Sequence, residues 1–381
     1  MGHPPLIVTG PARSGTTLVA RALSAHPDVE VAVDPLLPLV RATRDALAAA
    51  AGIDLPAGTP FLDGYASERD RAVLDAVWRG DLGVAAQAPP GEALAARAAH
   101  EAPDLAPVLA TLRGVTAREL WESALAGIAR VRAAPAGSWA GTKEVWAAPL
   151  IPAMARAWPE ARFVLVRRDP RAVAASNLGV GDPSQAGHPL SAARAWRAQE
   201  AIVARLRGEG LGDRIHVLAF EALVVDPGPA LAALCDFLGV EEDRGLLDAG
   251  RARGADGAPF AANTSHGAVA PGARPELSER WRTTLDPGAL ALVELVCGSE
   301  MEAAGMTLSG PADPQSALAR LHDDEARDWS WRTDRRDPEA DIADEVARRA
   351  LITGSGPADG AEVRRRFLWP EALSALRAAR P

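Results

Sequence analysis

The chain has 381 residues, 48% of them apolar and 24% charged, with a formal charge of −9. That length holds one large or two ordinary domains, and the composition excludes disorder, collagen and coiled coil as descriptions of the whole. The acidic balance argues against a broad basic face for nucleic acid or sulfated glycans, while leaving room for a local phosphate pocket.

Taken in chain order, the residues Met1 to Pro5 carry neither the basic region nor the long apolar stretch of a signal peptide. No stretch approaches the apolar length of a membrane span. The expectation is a cytoplasmic, soluble protein with no membrane partner. Leu6-Ile7-Val8-Thr9 then reads as a short buried strand, Gly10 to Gly15 as a tight loop, and the residues from Thr16 as a helix. That helix has to stop where His26 meets Pro27, since proline disfavours helical geometry in the residue before it.

Leu36 to Leu47 reads as a helix, and the Ala-rich stretch from about 38 to 135 keeps a helical period broken by prolines. It is expected to be a helical cap inserted over a sheet. Arg162 to Val166 is a second strand, followed by a helix with Asp169 as N-cap and Pro170 in its first position. Ile215 to Phe220 is a third strand, leading to a helix over Pro229 to Leu238 that Gly239 closes. Strands separated by helices imply an α/β fold, a parallel sheet covered on both faces. From Ser309 to Pro381 charges of both signs crowd around Trp329 and Trp331, with Arg364-Arg365-Arg366 near the end. This reads as a charged, solvated helical extension; a lid, or an arm that makes a homodimer, is the alternative.

The two cysteines, Cys235 and Cys297, have no metal-ligand spacing, which fits a reducing compartment. Lys143 is the only lysine among 41 basic residues and is a candidate for chemistry on that ground. Gly10-x4-Gly15-Thr16-Thr17 has the spacing of a phosphate loop, in which backbone N–H groups and a helix N-terminus surround an anion. In a nucleotide triphosphatase a lysine would follow Gly15; here Thr16 does, and Arg13 supplies the positive charge from the loop. Kinase or ATPase chemistry of the P-loop type loses support accordingly. It stays open as an alternative, as does a non-catalytic nucleotide-binding scaffold.

Arg13-Ser14-Gly15-Thr16-Thr17, followed by His26-Pro27-Asp28-Val29, resembles the 5′-phosphosulfate loop of sulfotransferases that use 3′-phosphoadenosine 5′-phosphosulfate (PAPS). The resemblance is to the bacterial branch similar to tyrosylprotein sulfotransferases. It continues in order: Gly141-Thr142-Lys143-Glu144 matches the family's lysine motif, and Phe163 to Asn177 its 3′-phosphate segment, with Arg168 and Ser176 eight residues apart. Phe220-Glu221-Ala222-Leu223 resembles a Tyr-Glu-x-Leu element in which the tyrosine is here phenylalanine. Asn263-Thr264-Ser265 and Ser278-Glu279-Arg280-Trp281 resemble the loop that closes over the nucleotide. Asp34 stands where the family often carries glutamate.

The resemblance implies a sulfotransferase domain over residues 1–308, with the cap at about 38–135 and an extension over 309–381. It implies a sulfuryl transfer from PAPS to a hydroxyl, or an amine, of an acceptor, leaving 3′,5′-ADP, with no metal; the acidic balance and the missing secretory signal favour a small-molecule acceptor over a polymer and no nucleic-acid partner. Lys143 and Arg13 become the cations facing the leaving oxygen, a role worth roughly 3–4 kcal/mol for a preorganised donor. Asp34 becomes the general base, with helix N-cap as its structural alternative and His188 or His266 as rival bases. Arg13, Ser14, Gly15, Thr16 and Thr17 would bind the 5′ end of the nucleotide. Arg168, Ser176, Ser265 and Arg280 would bind its 3′-phosphate. Trp281 is read as a packing residue.

Overall fold

The computed structural model describes residues 2–56, 58–59, 67–86, 90–179, 187–243, 245–247, 275–325, 337–354 and 358–379. It divides into two compact units. The first comprises Met1–Phe61, Glu68–Arg167 and Leu211–Pro275; the second comprises Leu62–Ser67, Arg168–Gly210 and Glu276–Pro381.

The first unit is built on a five-stranded sheet of β1 (Pro5–Thr9), β2 (Val29–Val33), β3 (Trp139–Lys143), β4 (Arg162–Arg167) and β5 (Ile215–Ala219), in the order β2-β3-β1-β4-β5. Every pairing is parallel. Leu6, Ile7, Val8, Phe163, Val164 and Leu165 are fully buried, as the continuous apolar runs of a sheet covered on both faces require. β3 is different, because Gly141 interrupts it. A Cβ there would stand 1.8 Å from the Leu6 carbonyl oxygen, so only glycine lets β3 lie against β1.

Helices flank this sheet. α1 (Thr16–Leu23) packs on β1, β2 and β3. Between β2 and β3 the chain makes α2 (Leu37–Ala50), α3 (Glu68–Arg79), α4 (Gly91–Glu101), α5 (Ala106–Ala110) and α6 (Ala117–Val131). Thr116 caps α6 in a reciprocal box with Glu119, and Trp121 donates to the Thr43 hydroxyl at 2.9 Å. This is the helical insertion read from the sequence, and its tryptophans Trp78 and Trp121 are wholly buried. α7 (Ile151–Ala157) precedes β4. After β5 come α10 (Phe220–Val225) and α11 (Pro227–Leu238), the latter closed by Gly239 at φ 67°.

The second unit is helical. α8 (Pro170–Leu178), α9 (Pro189–Gly208) and α14 (Pro287–Ala303) share a core with α15 (Pro314–Glu325) and α16 (Pro338–Thr353) through Val173, Trp196, Val293, Leu321 and Ile342. α17 (Gly360–Arg366) and α18 (Pro370–Ala378) close a second small core around Ile352, Phe367 and Leu373. α12 (Glu276–Glu279) and α13 (Trp281–Thr284) precede α14.

The C-terminal extension is helical, as read, but its charges are not all solvated. Asp341 meets Arg194 at 2.8 Å, Glu345 meets Arg197 at 2.5 Å, and Arg348 pairs with Glu300, all of them largely buried. Trp329 and Trp331 lie outside the described residues. No described helix is long and apolar enough to cross a membrane. Cys235 and Cys297 are both buried, free thiols.

Candidate active site

The loop after β1 has the backbone of an anion cradle. Arg13 sits at φ 70° and Gly15 at φ 93°, and the Ser14 N–H closes a tight turn over Pro11 to Ser14 by donating to the Pro11 carbonyl at 3.1 Å. Gly15 is the N-cap of α1 and brings no side chain to cap that end, where the first amides of a helix have no partner within the helix itself. A Cβ on Gly15 would lie 2.3 Å from the ring of Phe220. The aromatic residue of the Phe-Glu-Ala-Leu element thus works as a packing wall behind the loop. The Ser14 and Thr9 hydroxyl oxygens are buried and have no hydrogen-bond partner among the described residues, and buried polar groups ordinarily have one. Burial lowers the pKa of the half-buried Arg13 guanidinium from its ordinary value.

Lys143 is the last residue of β3, in register with Val8 of β1 and Val33 of β2, so its side chain starts from the carboxyl edge of the sheet. It is 3% exposed. Asp34 directly follows β2. Its N–H donates to the Lys143 carbonyl at 2.9 Å, and its Oδ2 accepts from Lys143 Nζ at 2.5 Å. Its Oδ1 is buried and has no partner among the described residues, and its carbonyl accepts from Arg97 Nε of α4 at 3.0 Å. Asp34 is at φ 55°, in the left-handed region. It is not the cap of α2: that position belongs to Leu36.

Glu144, next to Lys143, is fully buried. Its Oε1 accepts from the Leu36 N–H at 2.6 Å and from the Thr142 hydroxyl at 3.0 Å, while Oε2 has no partner among the described residues. Desolvation first, and the negative charge of Asp34 second, push its carboxyl up to about 8. The sequence carried it only as a companion of Lys143. Nothing in one dimension announces that its carboxyl is sealed from water. Arg97 was missed altogether, because an arginine on an amphipathic helix is ordinary until its partner is seen.

In the second unit, Asp169 caps α8 by accepting from the Arg171 N–H at 2.8 Å, with Pro170 at the first position as read. Arg168 Nη2 donates to the Leu277 carbonyl at 2.9 Å, and the Arg168 carbonyl accepts from Trp196 Nε1 at 2.7 Å. Its neighbour Arg171 is committed to structure, holding Asp169 at 2.6 Å and Glu294 at 2.9 Å and stacking over Trp281 at 4.0 Å. Trp281 is buried against Ala172 and Ala175 of α8, the packing role expected for it, and Ser176 is the next residue along that helix. Arg280 is exposed. Ser265 and the rival base His266 fall outside the described residues. His188 is fully buried and caps α9 by accepting from the Leu190 N–H at 3.0 Å.

The structure therefore brings Lys143 and Asp34 into direct contact, within the unit that also carries the Arg13 loop. It joins the Arg168 segment to the segment around Leu277 in the other unit. No group of side chains among the described residues could hold a metal ion.

No curated protein matches the sequence significantly. Among solved structures, the chain is similar to the sulfotransferase domain of the olefin synthase of Synechococcus PCC 7002, at 18% identity and TM-score 0.44, covering 86% of this chain and 97% of that one. It is similar to a sulfotransferase from Mycobacterium avium at 15% identity and TM-score 0.38, covering 82% and 79%. A sulfotransferase from Alicyclobacillus acidocaldarius aligns at 17% identity and TM-score 0.33, covering 77% and 95%. The sequence profile described as the Sulfotransferase family matches residues 4–244. The chain belongs to the sulfotransferase family.

Proposed function

We propose that this chain moves a sulfuryl group from PAPS to a hydroxyl, or an amine, of a small acceptor, in a reducing cytoplasm. Residues 1–308 carry the catalytic machinery, and 309–381 extend it. One observation carries the reading: a buried cation and a partly buried base, Lys143 and Asp34, are paired at 2.5 Å on the carboxyl edge of a parallel sheet. That edge is where open α/β sheets bind ligands.

The residues of the β1–α1 loop fit an anionic group. With Thr9 at the end of β1, they offer the amides at the start of α1, the Ser14 and Thr9 hydroxyls that have no partner among the described residues, and the Arg13 charge. The donor, when bound, supplies the sulfuryl group and a nucleotide whose bridging oxygen gains negative charge as it leaves. Lys143 and Arg13 are the cations that answer that charge. Asp34 takes up the acceptor proton on a carboxylate oxygen. Once protonated it no longer holds Lys143 by charge, so the arrival of the proton releases Nζ just when a cation is needed. Arg168 and Ser176, with Arg280 and Ser265, are assigned to the 3′-phosphate, where a planar guanidinium donates twice to one anion. Helices α2 to α6 line the acceptor side and select the acceptor.

Transfer of radiolabelled sulfate from PAPS into an extract of small metabolites tests this directly, with Lys143→Ala as the control. Metal-independent stabilisation by 3′,5′-ADP is expected alongside, about 2.7 kcal/mol at ~100 times the dissociation constant. Stabilisation by magnesium-ATP but not by 3′,5′-ADP would overturn the assignment.

A further inference from the structure

We propose that Glu144 is a positioning residue for the Asp34–Lys143 pair, its carboxyl clamping the turn that carries Asp34 to the end of β3. The inference rests on the sulfuryl-transfer reading for its catalytic consequence and on geometry for the rest.

Asp34 occupies a left-handed conformation, φ 55°, which a residue with a Cβ keeps only when its surroundings hold it there. Four bonds do so. The Lys143 carbonyl takes its N–H, Lys143 Nζ takes its side chain, Arg97 takes its carbonyl, and Glu144 Oε1 takes the N–H of Leu36 two residues on. Glu144 is itself fixed, its N–H donating to the Val8 carbonyl of β1 at 2.9 Å and its Oε1 accepting from Thr142 at 3.0 Å. One buried side chain thereby locks the β2–α2 turn to β3 and, through its own backbone, to β1.

The two carboxylate oxygens are treated unequally. Oε1 has two donors, whereas Oε2 is buried and has no partner among the described residues. That asymmetry suits a protonated carboxyl whose hydrogen sits on Oε2. Burial holds the proton on, the negative charge of Asp34 reinforces this, and Lys143 opposes it, with the midpoint at about 8. Those two groups are the charges that face Glu144. Below the midpoint Glu144 is a neutral strut. Above it, a second carboxylate competes with Asp34 for the one ammonium group.

Lys143 is the only lysine, so protein labelled with 13Cε-lysine gives one lysine resonance that reports on this pair without any turnover. In wild type that resonance should shift with an inflection near pH 8, and Glu144→Gln should abolish the inflection. An unchanged inflection in Glu144→Gln overturns the proposal whether or not an acceptor has been found. With an acceptor in hand, wild-type kcat should fall as pH rises through about 8 while Glu144→Gln stays level. Glu144→Ala should lose kcat by about 10²-fold, the penalty of a misplaced catalytic group. Glu144→Gln, which can still accept from Leu36, should recover most of it at pH 7. Equal loss in both variants, at unchanged stability, refutes the positioning role. Absence of any sulfate transfer by wild type instead refutes the reading on which the catalytic half depends.

Discussion

Removing one member of the Asp34–Lys143 pair should cost far more than removing both. At 2.5 Å and an effective dielectric of about 20, the gross attraction is about 7 kcal/mol, and desolvation of the two ions cancels most of it. Lys143→Met keeps the aliphatic stem and deletes the charge. It leaves Asp34, whose side chain is only 14% exposed, with Oδ1 already unpartnered among the described residues and Oδ2 newly so, a largely desolvated carboxylate without compensation. The expected loss is about 3–5 kcal/mol, a large share of a typical folding free energy. Asp34→Asn tolerates the left-handed backbone and keeps an oxygen for Nζ, so it should cost less. The double variant removes both charges of this pair and should be at least about 2 kcal/mol more stable than the sum of the single losses implies. Urea unfolding of the four proteins, followed by tryptophan fluorescence, gives the cycle. Losses that add within about 0.5 kcal/mol would show that the two side chains do not sense each other and would remove the basis of the site.

Other expectations follow from single contacts. The Glu144 carboxyl titrates near its ordinary 4.5 in the unfolded chain and at about 8 when folded, so between those values the folded state holds a proton that the unfolded state has lost. Its contribution to stability therefore falls as pH rises across that window, by up to about 1.4 kcal/mol per pH unit, and is level above it. Urea midpoints from pH 5 to 9 should show this slope in wild type, and Glu144→Gln should lack it. Gly15→Ala forces a Cβ into the left-handed region and into the Phe220 ring at 2.3 Å. A loss above the roughly 1–2 kcal/mol of the backbone alone is expected by denaturation, and a smaller one refutes the packing described. Arg168→Ala should weaken 3′,5′-ADP by about 10- to 100-fold in calorimetry, a charged hydrogen-bonded pair being worth ~1.5–3 kcal/mol, and leave 5′-AMP unaffected. Equal weakening of both nucleotides contradicts the 3′-phosphate assignment.

The strands β1, β4 and β5 were legible because each is an apolar run long enough to be a buried strand. β2 and β3 were not read as strands, although they carry the residues that matter most. Trp139-Ala140-Gly141-Thr142-Lys143 has no apolar run, and its glycine reads as a breaker; it is there because β1 comes too close for any Cβ. The cap of α8 and the glycine closing α11 were read correctly, since both depend on neighbours within four residues. The charges of the C-terminal helices were read as solvated because their partners lie far off in the chain: Asp341 meets Arg194, 147 residues away. Lys143 could be singled out by its rarity and Asp34 by resemblance. Their contact, and the buried state of Glu144, are products of strand order and could be seen only once β2 and β3 were paired.

The strain at the sheet edge has a chemical logic. Arg13, Asp34 and Trp146 all have positive φ without being glycine, and they follow β1, β2 and β3, which are neighbours in the sheet. Each such backbone costs about 1–2 kcal/mol, and residues of this kind concentrate where a side chain has to be aimed. For Asp34 the cost and the function can be separated by experiment. Asp34→Gly and Asp34→Ala both delete the carboxylate and both leave Lys143 buried without its partner, so they share every electrostatic loss. They differ only in the backbone, where glycine accepts φ 55° and alanine does not. After correction for the greater unfolded-state entropy of glycine, of order 0.4–1 kcal/mol, Asp34→Gly should still be the more stable of the two in urea. Should Asp34→Ala prove the more stable, the left-handed turn is not held in the folded protein, and the aim of the carboxylate at Lys143 goes with it.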